Sequence, residues 1–215
     1  MEKAAETVAK ILLEIKGITF NPTKPFRYAS GILSPVYVDC RLLMGYPDKR
    51  KQVTHFLSDA IMSTGETFDC VAGTATAGIP HAAWVADILN LPMIYARNKA
   101  KDHGKENTIE GILKKNQKVA VIEDLISTAE SSVNTVKSVR TAGAAASFIF
   151  CIITYGMEKA KENITVNNIT LIPLTTFETV VTVAEKNNYI KRDQKQTILD
   201  WITNPSEWGK KMGFE

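Results

Sequence analysis

Cysteine is scarce: Cys40, Cys70 and Cys151 are the full set in 215 residues, far apart, with no CxxC pair and no metal-ligand spacing. That pattern reads as three reduced thiols in a cytoplasmic protein rather than a disulfide framework. Histidine is as scarce, with only His55, His81 and His103, which argues against a His/Cys metal centre. No apolar run approaches the ~20 residues that span a bilayer. The charged start MEKAAETVAK is unlike a secretory leader, so no membrane partner is expected. An excess of one charge is also missing. A net charge of +3 does not announce a nucleic-acid binder, and the one local excess of cations runs from Arg97 to Lys105. No repeat or low-complexity tract interrupts the chain.

What is present is aliphatic surface in ordinary proportion: 45% of residues are apolar and 23% charged, enough to build a core, and the length suggests one domain over residues 1–215. Val8, Ile11, Leu12 and Ile15 repeat at helical spacing within Glu2–Lys16. A turn-rich stretch from Gly17 to Pro35 leads to the apolar Val36-Tyr37-Val38, and Asp48–Met62 reads as a second helix. Beyond it, apolar strands are expected at Asp69–Gly73, Pro92–Arg97, Val119–Ile122, Ala144–Tyr155 and Ile169–Pro173. Helices are expected at Pro80–Leu89 and about Ser131–Ala142, with a final helix in the tail from Gln194. Nearly continuous apolar strands alternating with helices predict an α/β domain, its parallel sheet covered on both faces. Such sheets bind ligands beyond the carboxyl ends of their strands. The segments placed to carry chemistry are therefore Gly73–Gly78, Arg97–Gly111 and Glu123–Ser132.

Residues 119–132, VAVIEDLISTAESS, hold the strongest signal. Four apolar residues end in the adjacent acids Glu123 and Asp124, followed by a hydroxyl-rich turn and a helix. Two acids closing a buried strand are costly unless they bind something. Vicinal sugar hydroxyls suit them, because a carboxylate accepts charge-assisted hydrogen bonds. A helix N-terminus offers free N–H groups to a phosphate, so a ribose 5-phosphate fits both halves. The plainer alternative is a buried acidic pair with a capped helix, for which Ser127-x-x-Glu130 matches a capping box.

The same residues resemble the diphosphoribose motif of the phosphoribosyltransferases, and in particular of the orotate-using members. Residues 26–41, FRYASGILSPVYVDCR, resemble that family's N-terminal orotate segment. Gly73–Pro80, GTATAGIP, resembles its second loop, and Arg97–Lys105, RNKAKDHGK, its mobile catalytic loop. The four motifs arrive in family order. The resemblance implies a type I phosphoribosyltransferase fold, with a mainly parallel central sheet flanked by helices and a small N-terminal hood over about residues 1–45. It also implies transfer of phosphoribosyl from 5-phosphoribosyl 1-diphosphate to orotate, and a homodimer whose lid reaches the neighbouring subunit. By this resemblance Arg97, Lys101, His103, Glu123, Asp124, Leu125, Ile126, Ser127, Thr128, Ala129, Glu130 and Ser131 contact the diphosphoribose. Ser30, Tyr37, Val38 and Ser127 face orotate, and Lys101, His103 and Asp124 are the catalytic set. Mg²⁺ is expected to be held mainly by substrate oxygens, with no protein ligand assigned. Arg27 or Arg41 could meet the orotate carboxylate, or either could be a structural ion pair. His81, after Ile79-Pro80, reads as a capped or packed helix residue, and Trp84, Trp201 and Trp208 as core or interface aromatics.

Three departures from the family pattern stand out. The phosphate loop carries Ala129 and Glu130 where glycines are usual. A Cβ at Ala129 is expected to disfavour positive φ. Glu130 turned towards a phosphate ~6 Å away would cost about 3 kcal/mol at an effective dielectric of ~20, but only ~0.7 kcal/mol if solvated. It is therefore expected to point outward. Cations that some members carry are replaced by Thr76-Ala77 in the second loop and by Tyr155-Gly156 after the long strand. These departures leave two other readings beside the orotate enzyme: a relative using another base, and a non-catalytic sensor of diphosphoribose.

Overall fold

The protein is described by a computed structural model over residues 2–28, 30–97 and 108–214. In chain order its elements are α1 (Glu2–Glu14), β1 (Ile18–Phe20), β2 (Phe26–Arg27), β3 (Leu33–Ser34), β4 (Val36–Val38), a 3₁₀ turn over Cys40–Gly45, α2 (Pro47–Met62), β5 (Cys70–Thr74) and α3 (Gly78–Leu89). They continue as β6 (Met93–Ala96), β7 (Ile109–Glu110), β8 (Lys118–Ile126), α4 (Glu130–Thr141), β9 (Ala145–Thr154), α5 (Glu158–Val166), β10 (Thr170–Thr176), α6 (Phe177–Lys186), α7 (Arg192–Thr203) and α8 (Pro205–Lys211).

The main sheet runs β10-β9-β8-β5-β6-β7, parallel throughout except for the β6–β7 pair. Its strands are apolar on both faces because helices cover both. Ala120, Ile122, Phe150 and Ile152 pack into a core beneath α1, α2, α3 and α6, whereas Val119, Val121, Ile149 and Cys151 pack beneath α4 and α5. From β5 the chain steps outward to β6, and from β8 it steps the other way to β9 and β10. The direction of winding therefore reverses between β5 and β8, and the crevice outside their carboxyl ends is where a ligand belongs in such a sheet.

The turn-rich stretch before Pro35 contains three short strands rather than only turns. β1 pairs with β4, and β2 with β3 in a hairpin whose tip needs Gly31 at φ +89°. This hood is tied to the sheet end by aromatics from distant parts of the chain. Trp201 Nε1 donates to Leu33 O (2.9 Å), and the hydroxyls of Tyr28 and Tyr155 lie 3.3 Å apart. Gly209 lets α8 close on Leu33, since a Cβ there would sit 2.9 Å from Leu33 Cδ1.

Several elements differ from expectation. α5 and α6 are additional, and the tail forms two helices, α7 and α8, because Pro205 starts a new one after Asn204. β10 runs on to Thr176 through Pro173, tolerated because β10 is an edge strand. β8 does not stop before the acids but carries them, continuing to Ile126. Among the described residues no helix is long and apolar enough to cross a membrane.

Candidate active site

On its β5 side, β8 is paired only as far as Ile122, opposite Gly73. On its β9 side it remains paired through Leu125 and Ile126. Glu123 and Asp124 therefore sit where the sheet opens between β5 and β8. Their carboxyls remain close enough to interact with each other. Glu123 turns towards α4 and accepts a hydrogen bond from Ser131 Oγ (2.9 Å), and its Oε1 also accepts from the Asp124 N–H (3.2 Å). Asp124, half-buried, lies on the face of the hood and α3, with Cys40 Sγ 3.9 Å from its carbonyl oxygen. Burial, with the neighbouring Asp124 charge, raises the Glu123 carboxyl well above the usual carboxylate range. The pair thus resists carrying two full charges in the free protein. Beneath it, burial and the same acids push the Cys40 and Cys151 thiols well up, leaving both unreactive.

The loop between β5 and α3 crosses this opening at van der Waals distance. A Cβ on Gly78 would lie 2.7 Å from Ile122 O and 3.5 Å from Glu123 Oε1, and one on Gly73 would lie 2.9 Å from Ile79 Cα. Gly78→Ala is accordingly expected to destabilise the fold by roughly 1–3 kcal/mol. In an ordinary helix the same change would stabilise by about 1 kcal/mol, so the sign alone is diagnostic. Urea unfolding would show it as a lower midpoint at unchanged slope. Thr74 Oγ1 and His81 Nε2, on either side of this loop, are buried with no hydrogen-bond partner among the described residues. Such a group costs about 1–3 kcal/mol while unmatched.

After β8 the chain turns at Ser127–Ala129 into α4. Ser127 does not cap that helix; its first residue is Glu130, preceded by Ala129 at φ +65°, with no side-chain cap. The capping-box alternative is thereby removed. Ala129 also adopts the positive φ that its methyl is expected to disfavour. The methyl is buried with Val133 and Val136 in the core beneath α4, and that contact offsets a left-handed cost of roughly 1–2 kcal/mol. Asn163 of α5 braces the turn by donating to Thr128 O (2.8 Å). The backbone amides of residues 128–131 find no backbone acceptor among the described residues, and Glu130 is exposed. Ser127, Thr128, Ala129, Glu130, Ser131 and Asn134 line a cavity of about 380 Å³. It has the character of an anion site, with free amides at the positive end of a helix.

The remaining candidates are distributed unevenly. Leu125 is half-buried against the hood-side core, and Ile126 is buried beneath α4 with its carbonyl engaged by the Tyr155 N–H (2.9 Å). Tyr37 is exposed, with its ring 5.7 Å from that of Phe26 and 6.4 Å from that of Tyr28, and Val38 is half-buried against the hood-side core. Ser30 is exposed at the tip of the hood hairpin. Arg41 is held in a two-pronged ion pair with Asp39 (2.7 and 3.0 Å), and Arg27 donates to Gly31 O (2.9 Å). Arg97 directly follows β6, two strands from the acids, where its guanidinium pairs with Glu110 and its N–H donates to Thr108 O (2.9 Å). Lys101 and His103 lie outside the described residues. Asn163 and the buried His81 nitrogen are the functional-looking groups that sequence reasoning passes over. Asn163 falls in a helix that was not expected, and His81 reads as ordinary packing.

Comparison with known proteins agrees with this geometry. Residues 47–188 match the family described as the phosphoribosyl transferase domain. The chain is 48% identical over 203 residues to the orotate phosphoribosyltransferase of Listeria monocytogenes serovar 1/2a, covering 94% of this chain and 97% of that one. It is 45% identical over 210 residues to the orotate phosphoribosyltransferase of Enterococcus faecalis, covering 98% and 100%. Among solved structures, orotate phosphoribosyltransferase from Aeropyrum pernix superposes with a TM-score of 0.72 at 26% identity, over 85% of this chain and 99% of that one.

Proposed function

The chain belongs to the orotate phosphoribosyltransferases of the phosphoribosyl transferase family, and from that premise we infer how its site performs the reaction. The enzyme transfers the phosphoribosyl group of 5-phosphoribosyl 1-diphosphate to orotate, giving orotidine 5′-monophosphate and pyrophosphate in the synthesis of UMP. The bond from C1′ to the diphosphate oxygen breaks and its electron pair leaves with pyrophosphate. The bond from orotate N1 to C1′ forms. Charge grows on the leaving group, so preformed positive groups aimed at it stabilise the transition state most.

The observation that carries the site assignment is the juxtaposition of the Glu123–Asp124 pair with backbone amides of residues 128–131 that find no backbone acceptor among the described residues. The amides take the 5-phosphate. Asp124 accepts from the ribose hydroxyls, while Glu123, anchored by Ser131 and with its carboxyl raised by burial, completes the grip. Tyr37, Val38 and Ser127 border the orotate side. Arg97, Lys101 and His103 belong to the segment that meets pyrophosphate.

Hard oxygen donors fit Mg²⁺, and the acid pair stands beside the place of the ribose diol. When bound, the ion supplies charge neutralisation of the leaving oxygens, carried mainly by the substrate itself. A homodimer is supported by the exposed apolar residues Leu42, Met44, Tyr46 and Ile88. Ile88 lines one cavity with Trp84, over which Arg50 stacks at 4.8 Å while donating to Met44 O (3.0 Å). A cytoplasmic setting suits three buried, unpaired cysteines. The test is release of pyrophosphate from phosphoribosyl diphosphate with Mg²⁺, expected with orotate and not with hypoxanthine, adenine or uracil. Release independent of orotate, or none at saturating substrate, contradicts the reading.

A further inference from the structure

Asn163 stands within α5, and its side-chain amide nitrogen donates to Thr128 O (2.8 Å) in the turn before α4. A carbonyl oxygen only accepts, so the donor end of that amide faces the turn. α5 is itself fastened to α4. Ala160 and Ile164 are buried with Ala129 and Val133 in the core beneath α4. Further along, Asn167 Nδ2 donates to Asn163 O (2.7 Å), and Arg140 of α4 donates to Asn167 O (2.7 Å) and Asn168 O (3.3 Å). Asn163 therefore reaches the turn from a fixed platform.

Thr128 O shares a peptide plane with the Ala129 N–H. That peptide is trans, and in a trans peptide the two groups point in opposite directions. With Thr128 O drawn to α5, the Ala129 N–H points away from α5. It finds no backbone acceptor among the described residues. Ala129 lines the cavity of about 380 Å³, to which α5 contributes no lining residue. Ala129 holds φ +65°, a region that a Cβ disfavours. Half a turn of the Thr128–Ala129 plane would return it to negative φ. The same rotation would swing the carbonyl towards the cavity and the N–H out of it. Asn163 opposes the rotation, because Thr128 O would lose its donor.

We propose that Asn163 is a positioning residue for the 5-phosphate: its hydrogen bond to Thr128 O locks the Thr128–Ala129 peptide in the orientation that presents the Ala129 N–H to the anion. Glycine at 129 would depend less on such a lock, having no Cβ to disfavour positive φ. This chain carries Ala129 and supplies the lock from α5. The inference rests on the proposed assignment of the amides of residues 128–131 to the 5-phosphate.

The experiment is calorimetric titration of ribose 5-phosphate into wild type, Asn163→Leu, Ala129→Gly and the Ala129→Gly/Asn163→Leu double variant. Leucine keeps about the size of asparagine and removes the donor. Binding about tenfold weaker is expected in Asn163→Leu, the effect of one lost hydrogen bond. In the Ala129→Gly background the same substitution is expected to cost about threefold or less, since coupled residues are non-additive. General loosening of α5 would weaken binding equally in both backgrounds. Equal affinity in wild type and Asn163→Leu overturns the proposal, as does a loss as large in the Ala129→Gly background. Should Asn163→Leu fail to fold, Asn163→Ala decides by the same criteria. If wild type takes up no ribose 5-phosphate, the phosphate-site assignment fails and the proposal falls with it. Affinity retained by wild type and every variant leaves the site standing and removes Asn163 alone.

Discussion

Replacing Asp124 with asparagine is expected to lower kcat/KM for phosphoribosyl diphosphate by roughly 10- to 100-fold, with little change in the unfolding midpoint. The substitution keeps shape and removes charge. Hydrogen bonds to a charged acceptor contribute about 1.5–3 kcal/mol, and each 1.36 kcal/mol is tenfold in rate. Asp124 is half-buried at the opening between β5 and β8, so its carboxylate is available to a sugar. Glu123→Gln should cost less, about fivefold or below. Glu123 already accepts from Ser131 and from the Asp124 N–H, and burial favours its neutral form. An amide therefore imitates it well. Steady-state kinetics on the two variants check the asymmetry. Equal losses would mean that the acids act as equivalent anions.

Lys101→Ala is expected to lower kcat by about 10²–10³ while leaving the KM for orotate and the fold unchanged, the range seen when one preorganised charge-stabilising group is removed. Lys101 and His103 fall in the cation-rich segment Arg97–Lys105, and pyrophosphate is where negative charge grows. The structure supplies the base from which that segment leaves. β6 and β7 pair antiparallel at Tyr95–Glu110 and Ala96–Ile109, and the Arg97–Glu110 ion pair lies just beyond. Single-turnover kinetics separate chemistry from binding. Unchanged kcat in Lys101→Ala would remove this segment from the transition state.

Much of this architecture is written locally in the sequence. Buried parallel strands must be apolar along their whole length, so Cys70–Thr74, Met93–Ala96 and Ala145–Thr154 stand out. The strand-end rule then selects the loops that carry the site. What escapes is set by longer-range packing. α5 has only Ala160 and Ile164 buried, too few to show a period. α6 does carry Phe177, Val180, Val181 and Ala184 at helical spacing, but its β-branched residues favour strand and blur the signal. The acids mask the true length of β8, because charge normally marks the end of a buried strand. The conformation of Ala129 is unreadable from residue type alone: the rule demands glycine, and the methyl's contacts beneath α4 override it. His81 looks like packing because residue type alone does not show that its buried Nε2 lacks a hydrogen-bond partner among the described residues.

The account depends on Glu123, Asp124 and the amides of residues 128–131 forming one ribose-5-phosphate site. Calorimetric titration of ribose 5-phosphate into wild type and into the Glu123→Gln/Asp124→Asn double variant tests this without lid, base or turnover. Saturable heat in the wild type, with binding at least tenfold weaker in the double variant, is the predicted result. No heat in the wild type, or equal affinity in both proteins, would contradict it.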